Sequence, residues 1–158
     1  MKYLYINVGI PGSGKTTISS SFAKILGIPV ISRDEIRFGF LKENDDYFKY
    51  EKLVFQTFVS SIVKALKEGE GCIADATHIS YASRNKLVSA IAKEIDLSEF
   101  QIQYNYFDIP LETCLARNAL REGRECVPPE TIEQMHKALE IPTIDEFRNV
   151  QSIFRHKE

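Results

Sequence analysis

Residues Gly9 to Thr16 read G-I-P-G-S-G-K-T and satisfy the spacing GxxxxGK[ST] at every position. In such a loop the backbone N–H groups turn inward on phosphate oxygens, and a helix starting at its end adds a favourable dipole. Gly12, Ser13, Gly14, Lys15, Thr16 and Thr17 are therefore the expected nucleoside triphosphate-binding set. Lys15 would reach the β- and γ-phosphates, and the Thr16 hydroxyl would ligate Mg²⁺. A second cluster, Ser32-Arg33-Asp34-Glu35-Ile36-Arg37, offers a carboxylate suited to take the proton of an attacking hydroxyl. Asp34 is the candidate general base, and Arg37, one helical turn later, shares its face and could hold an anionic part of the acceptor. The alternative use of Asp34 is as the cap of the helix that follows.

Two further clusters complete the chemistry. Ala74-Asp75-Ala76-Thr77-His78 places an acid after an apolar run, as in a Walker B strand. Asp75 would sit near Mg²⁺, directly or through water, or else meet the acceptor, and His78 reads as a loop or helix-start residue. Arg117, Arg121 and Arg124 precede Pro128 and Pro129, and Gly123 lies among them. This pattern predicts a lid over about residues 117–128 that neutralises transition-state charge and excludes water. The plainer reading is a basic helix end that complements its own dipole.

The elements that must position these groups alternate. Tyr3–Val8, Pro29–Ser32, Gly71–Ala74, Phe100–Phe107 and Val150–Phe154 read as strands. Between them lie helical patterns: Ile18, Phe22, Ile25 and Leu26; Phe55, Phe58, Val59, Ile62, Val63 and Leu66 within Tyr47–Lys67; and Leu87, Val88, Ile91 and Ile95. Leu111–Arg121 and a helix begun by Pro128 and Pro129 follow. The expected fold is an α/β, three-layer α/β/α domain with a five-stranded parallel sheet covered on both faces, spanning residues 1–158. Ligands would gather at the carboxyl ends of its strands, where the first three motifs fall.

Composition bounds the partners. At 158 residues, 44% hydrophobic and 27% charged, the chain reads as an ordinary globular domain. A net charge of -2 provides no global attraction to nucleic acid, so a polynucleotide would need a local groove. Arg37, Lys42, Lys49, Lys52, Arg84 and Lys86 are its candidate lining. Cys72, Cys114 and Cys126 have no metal-ligand spacing and read as reduced thiols, Cys72 as a core residue. With no membrane span or signal sequence apparent, the expected location is the cytoplasm.

The order GxPGSGKT, RD-x-x-R, DAT and CxxRN-x-x-R followed by VP, from Gly9 to about Glu146, resembles the phage-type polynucleotide 5′-kinase family. The acidic-aromatic run Asn44–Tyr50 belongs to the same likeness. The resemblance implies a P-loop kinase that moves the γ-phosphate of ATP, with Mg²⁺, to a 5′-hydroxyl end of DNA or RNA. It assigns Asp34 as general base, Lys15 and Thr16 to the phosphates and Mg²⁺, and Arg37 to the acceptor phosphate. Asp75, with Thr77 nearby, would lie beside the reacting groups, Arg121 over the β/γ-phosphates and Arg117 near the nucleotide base. The family's 3′-phosphatase domain has no counterpart here, so a separate phosphatase or ligase would share the pathway, and related enzymes can self-assemble. Two other functions fit the same motifs: a kinase for a small hydroxyl metabolite or antibiotic, and a nucleotide-binding switch.

Overall fold

In the computed structural model, which describes Met1 to Glu158, the elements run β1 (Lys2–Val8), α1 (Lys15–Leu26), β2 (Val30–Ser32), α2 (Arg33–Phe40), α3 (Glu51–Glu68) and β3 (Gly71–Asp75). They continue with α4 (Tyr81–Ala92), β4 (Phe100–Asp108), α5 (Leu111–Ala119), α6 (Pro129–Ala138) and β5 (Val150–Lys157). All strand pairs are parallel, in the order β2-β3-β1-β4-β5. The expected α/β sheet is present, and α3 begins four residues later than its apolar pattern suggested. Tyr47, the first residue of that pattern, serves instead as a side-chain partner of α2.

Alternation along β1 sends Leu4, Ile6 and Val8 into the main core. They meet Phe58, Ile62 and Leu66 of α3, Leu87 and Ile91 of α4, and Ile102, Tyr104 and Tyr106 of β4. Cys72 is part of this core, where burial pushes its thiol up to about 12. A smaller cluster of Ile10, Phe107, Ile109, Cys114 and Ile132 fastens α5 and α6 beside the glycine loop.

The other face departs from expectation. In a right-handed sheet of this order only the β1-to-β2 step runs backward, so only α1 lands on that face. It packs on β3 and β2 through the small residues Ser19 and Ala23, which let the helix approach the strands closely. The anticipated stripe of Ile18, Phe22, Ile25 and Leu26 is not the buried one, and Ile25 is 81% exposed. Phe22 alone turns in, edge-on to Tyr5 at 5.1 Å. Over β4 and β5 this face is an open cleft between Phe22, Gln103, Phe154 and His156.

Candidate active site

The glycine loop is shaped by two left-handed residues, Gly12 (φ 85°) and Gly14 (φ 91°). A Cβ on Gly12 would lie 2.3 Å from the Cys114 carbonyl oxygen, so the loop backbone rests directly on α5. The Gly9 N–H donates to the Thr77 carbonyl at 3.0 Å, tying the loop to the end of β3. Thr77 thus reaches the site edge through its main chain. The buried Ser13 hydroxyl has no protein hydrogen-bond partner. Gly14 stands at the N-cap of α1 without a side-chain cap, leaving the first-turn N–H groups open to an anion.

Lys15 folds back over the loop and donates to the Ile10 carbonyl at 2.9 Å. Burial of its ammonium lowers it from 10.5 to about 8, Asp75 and Asp34 raise it, and Arg121 lowers it further. Lysine, both acids and the lid arginine therefore share one electrostatic space.

Asp75, buried at the end of β3, accepts the Thr16 hydroxyl at 3.2 Å on Oδ2 and the Asn7 amide at 2.9 Å on Oδ1. Asn7 also donates to Ser19 at 2.7 Å, locking β1, β3 and α1 together beneath the loop. The Thr16 hydroxyl and Asp75 carboxylate are hard oxygen donors beside the phosphate cradle. They fit Mg²⁺, which keeps several waters and phosphate oxygens and needs few protein ligands. No group of three or more metal-binding side chains gathers elsewhere.

Across the site, Ser32 rather than Asp34 caps α2, its hydroxyl accepting the Glu35 N–H at 3.2 Å. Asp34 is free of that duty. Its Oδ1 receives Arg37 Nη1 at 2.7 Å and the Tyr47 hydroxyl at 3.2 Å, while the side chain stays 65% exposed. Arg37 corrects the sequence expectation. It is only 6% exposed, and its Nη2 donates to both oxygens of Glu51 at 2.9 and 2.8 Å. Its guanidinium stacks on Tyr47 at 4.6 Å, and Nη1 bonds Asp34 and the Tyr47 oxygen. Arg37 holds Asp34 in place and has no Nη group open to an acceptor phosphate. Arg33 joins the same Glu51. Burial, followed by the Asp34 charge, raises the Tyr47 phenol and keeps its proton in place to donate.

The arginine segment expected to form a lid starts in the last turn of α5, and its three arginines do not act alike. Arg117, in the last turn of α5, approaches the Gly12 carbonyl at 3.4 Å. Arg121 follows on the exposed loop and exerts its field on Lys15. Arg124 donates to the carbonyls of Lys42 (3.3 Å) and Asp45 (2.7 Å), fastening its segment to the α2–α3 loop. Asn118 closes the lid's neck: its amide bonds the Val127 carbonyl at 2.6 Å, and its oxygen accepts the Val127 N–H at 2.9 Å.

Arg84 is a second correction. It is 0% exposed and paired through Nε and Nη2 with Glu146, each at 2.9 Å. Its Nη1 donates to the His78 carbonyl at 2.7 Å. It pins the segment before β5 to the sheet and lines no groove. His78 is likewise structural: its Nδ1 donates to the Asn7 carbonyl at 2.8 Å, and burial lowers it to about 4. Asn7, Ser19, Glu51 and Asn118 are site-building residues that motif reading missed. The signals available were a polar Asn inside an apolar strand and the N of the CxxRN segment.

A phosphate cradle with an anchored acid facing it and arginines above defines the class: this is a P-loop kinase. A family model described as an AAA domain matches residues 4–142, and the chain belongs to that family. The likeness to polynucleotide kinases is borne out. Over 150 residues the chain is 28% identical to a protein of Autographa californica nuclear polyhedrosis virus named, by inference, a bifunctional polynucleotide kinase/RNA ligase. That match takes in 86% of this chain, and the chain spans 20% of the relative's length. The solved Pnkp1/Rnl/Hen1 complex contains a chain 29% identical, superposing with a TM-score of 0.60 over 73% of this chain and 39% of that one. A sugar kinase from Janibacter sp. shares the fold at 16% identity, with a TM-score of 0.67 over 99% of this chain and 85% of that one. No helix is long and apolar enough to cross a membrane.

Proposed function

We propose that this chain transfers the γ-phosphate of ATP to the 5′-hydroxyl end of a DNA or RNA strand. The observation that carries the reading is Asp34: one oxygen fixed by Arg37 and Tyr47, the other with no protein partner, at the carboxyl end of the sheet near Lys15. A nucleotide switch needs no such acid. Asp34 Oδ2 takes the acceptor proton as the hydroxyl oxygen bonds to the γ-phosphorus. The bond from that phosphorus to the β–γ bridging oxygen breaks, and ADP departs. Lys15 and Arg121 stabilise the charge that moves onto the phosphoryl and bridging oxygens. Thr16 and Asp75 would hold Mg²⁺, which when bound neutralises the β- and γ-phosphates. Gly12 to Thr17 and Arg117 bind the nucleotide, and Thr77 borders the reacting groups.

The deciding experiment supplies labelled ATP and a 5′-hydroxyl oligonucleotide. Label should pass to the oligonucleotide, a 5′-phosphorylated copy should stay unlabelled, and Asp34→Asn should abolish transfer while nucleotide binding persists. Transfer to a pooled metabolite extract but to no polynucleotide end would select a small-molecule kinase instead, and acceptor-independent hydrolysis would select a switch.

A further inference from the structure

The segment between α2 and α3 carries a feature that the chemistry of transfer does not use. Phe48 is 63% exposed and packs against Tyr47 with ring centroids 4.8 Å apart and planes at 81°. Tyr47 in turn bonds Asp34 and also packs against Phe38 at 6.3 Å. A continuous aromatic path therefore runs over the surface from the exposed Asp34 carboxylate through Tyr47 to Phe48. Charge does not accompany it. Residues 42–52 hold Lys42, Lys49 and Lys52 against Glu43, Asp45, Asp46 and Glu51. Lys49 is paired with Asp45 at 3.1 Å, and Arg124 is bonded to main-chain carbonyls. A strand leaving the base along this path meets rings in a segment whose four acids outnumber its three lysines.

We propose that Phe48, backed by Tyr47, is a stacking platform for a base of a single-stranded acceptor, one or two nucleotides behind the accepting hydroxyl. The inference rests on the polynucleotide reading above and narrows it. A base needs a free π-face to stack, and the terminal bases of a duplex already lie on their neighbours, so an unpaired end is favoured. Because the local charge is balanced, recognition by stacking depends only shallowly on salt.

The test uses the full chain, labelled ATP and single-stranded 5′-hydroxyl acceptors of one, two, three and six nucleotides, with matched acceptors abasic at the second or third position. In the unaltered protein kcat/KM should rise about tenfold between the one- and three-nucleotide acceptors, in line with the stacking of one base. The abasic acceptor should lose that increment. F48L should lose it as well, because it keeps an apolar side chain without a π-face, and F48W should retain it. An increment that persists in F48L, or with abasic acceptors, would overturn the proposal and leave Phe48 as a protein-contact residue. Transfer without any length increment overturns the platform alone. Absence of transfer to every polynucleotide overturns the parent reading and this one together.

Discussion

Replacing Glu51 by Gln tests whether Asp34 is held indirectly. Glu51 accepts both Nη2 bonds of Arg37 and one bond from Arg33, and Arg37 fixes one oxygen of Asp34. The substitution keeps the shape and removes one negative charge from between two guanidinium groups. Arg37 is buried, but Glu51 is about one-third exposed, so the cost falls below that of a fully buried pair. A loss of about 2 kcal/mol follows, which for a chain of this size lowers Tm by roughly 4–8 °C. Arg37, released on one side, swings toward Asp34 and carries its carboxylate out of line. A displacement of about 1 Å can cost about a hundredfold, so kcat for transfer should fall roughly 10- to 100-fold. The KM for ATP should stay within about twofold, because no Glu51 contact reaches the phosphate loop. Steady-state transfer assayed well below the variant's Tm, alongside a thermal melt, separates the two effects. A kcat equal to that of the unaltered protein, with the melt lowered as worked, would show that the clamp is structural and that Asp34 needs no such support.

Three other outcomes follow from the geometry. A bound triphosphate restores the Lys15 proton affinity that burial lowered to about 8, so ATP binding at pH 8–9 should take up a proton and weaken as pH rises through that range. Calorimetry in two buffers of different ionisation enthalpy reads the uptake directly, and buffer-independent heats would count against it. His78 titrates near 4 when folded and near 6.5 when unfolded, so its contribution is full above pH 6.5 and disappears as pH falls to 4, roughly 3 kcal/mol in all. Denaturant melts at pH 7 and 4.5 should show this slope reduced in His78→Asn; an identical slope in the variant would place the acid sensitivity elsewhere. Arg121→Ala should lower kcat about a hundredfold with little change in ATP affinity, and an unaltered kcat would remove Arg121 from the transition state.

The donor half was legible because its spacing is itself the geometry: glycine at positions 12 and 14 and hydroxyl after lysine leave little freedom once a strand precedes and a helix follows. Asp34 was legible as an acid at a strand end, but its freedom from capping was decided by Ser32 two residues earlier. The buried, paired settings of Arg37 and Arg84 are not legible in the sequence, for one reason. A sequence shows an arginine's charge but not the acid that folding brings to it from 14 or 62 residues away. The stripe on α1 misled because periodicity assumes that a helix buries its largest residues. Beside a phosphate loop the helix must lie close to the sheet, and Ser19 and Ala23 make that approach possible. The start of α3 is not legible either: the segment from Tyr47 to Lys67 reads as one helix, yet the Tyr47 hydroxyl bonds Arg37 and Asp34 of α2.

The paired bonds between Asn118 and Val127 give the lid a further property. They close residues 118–127 into a ring before any nucleotide arrives, so the loop-closure entropy is already met in the free protein. Arg121 is then carried on a hoop of few conformations, anchored at the neck, with Arg124 tying it to the α2–α3 loop. Under the proposed transfer, little disorder would remain to be removed when phosphates bind, leaving more of the binding free energy to distinguish the transition state from the ground state. One side-chain amide at the neck, that of Asn118, thus limits the conformations open to the segment that carries Arg121.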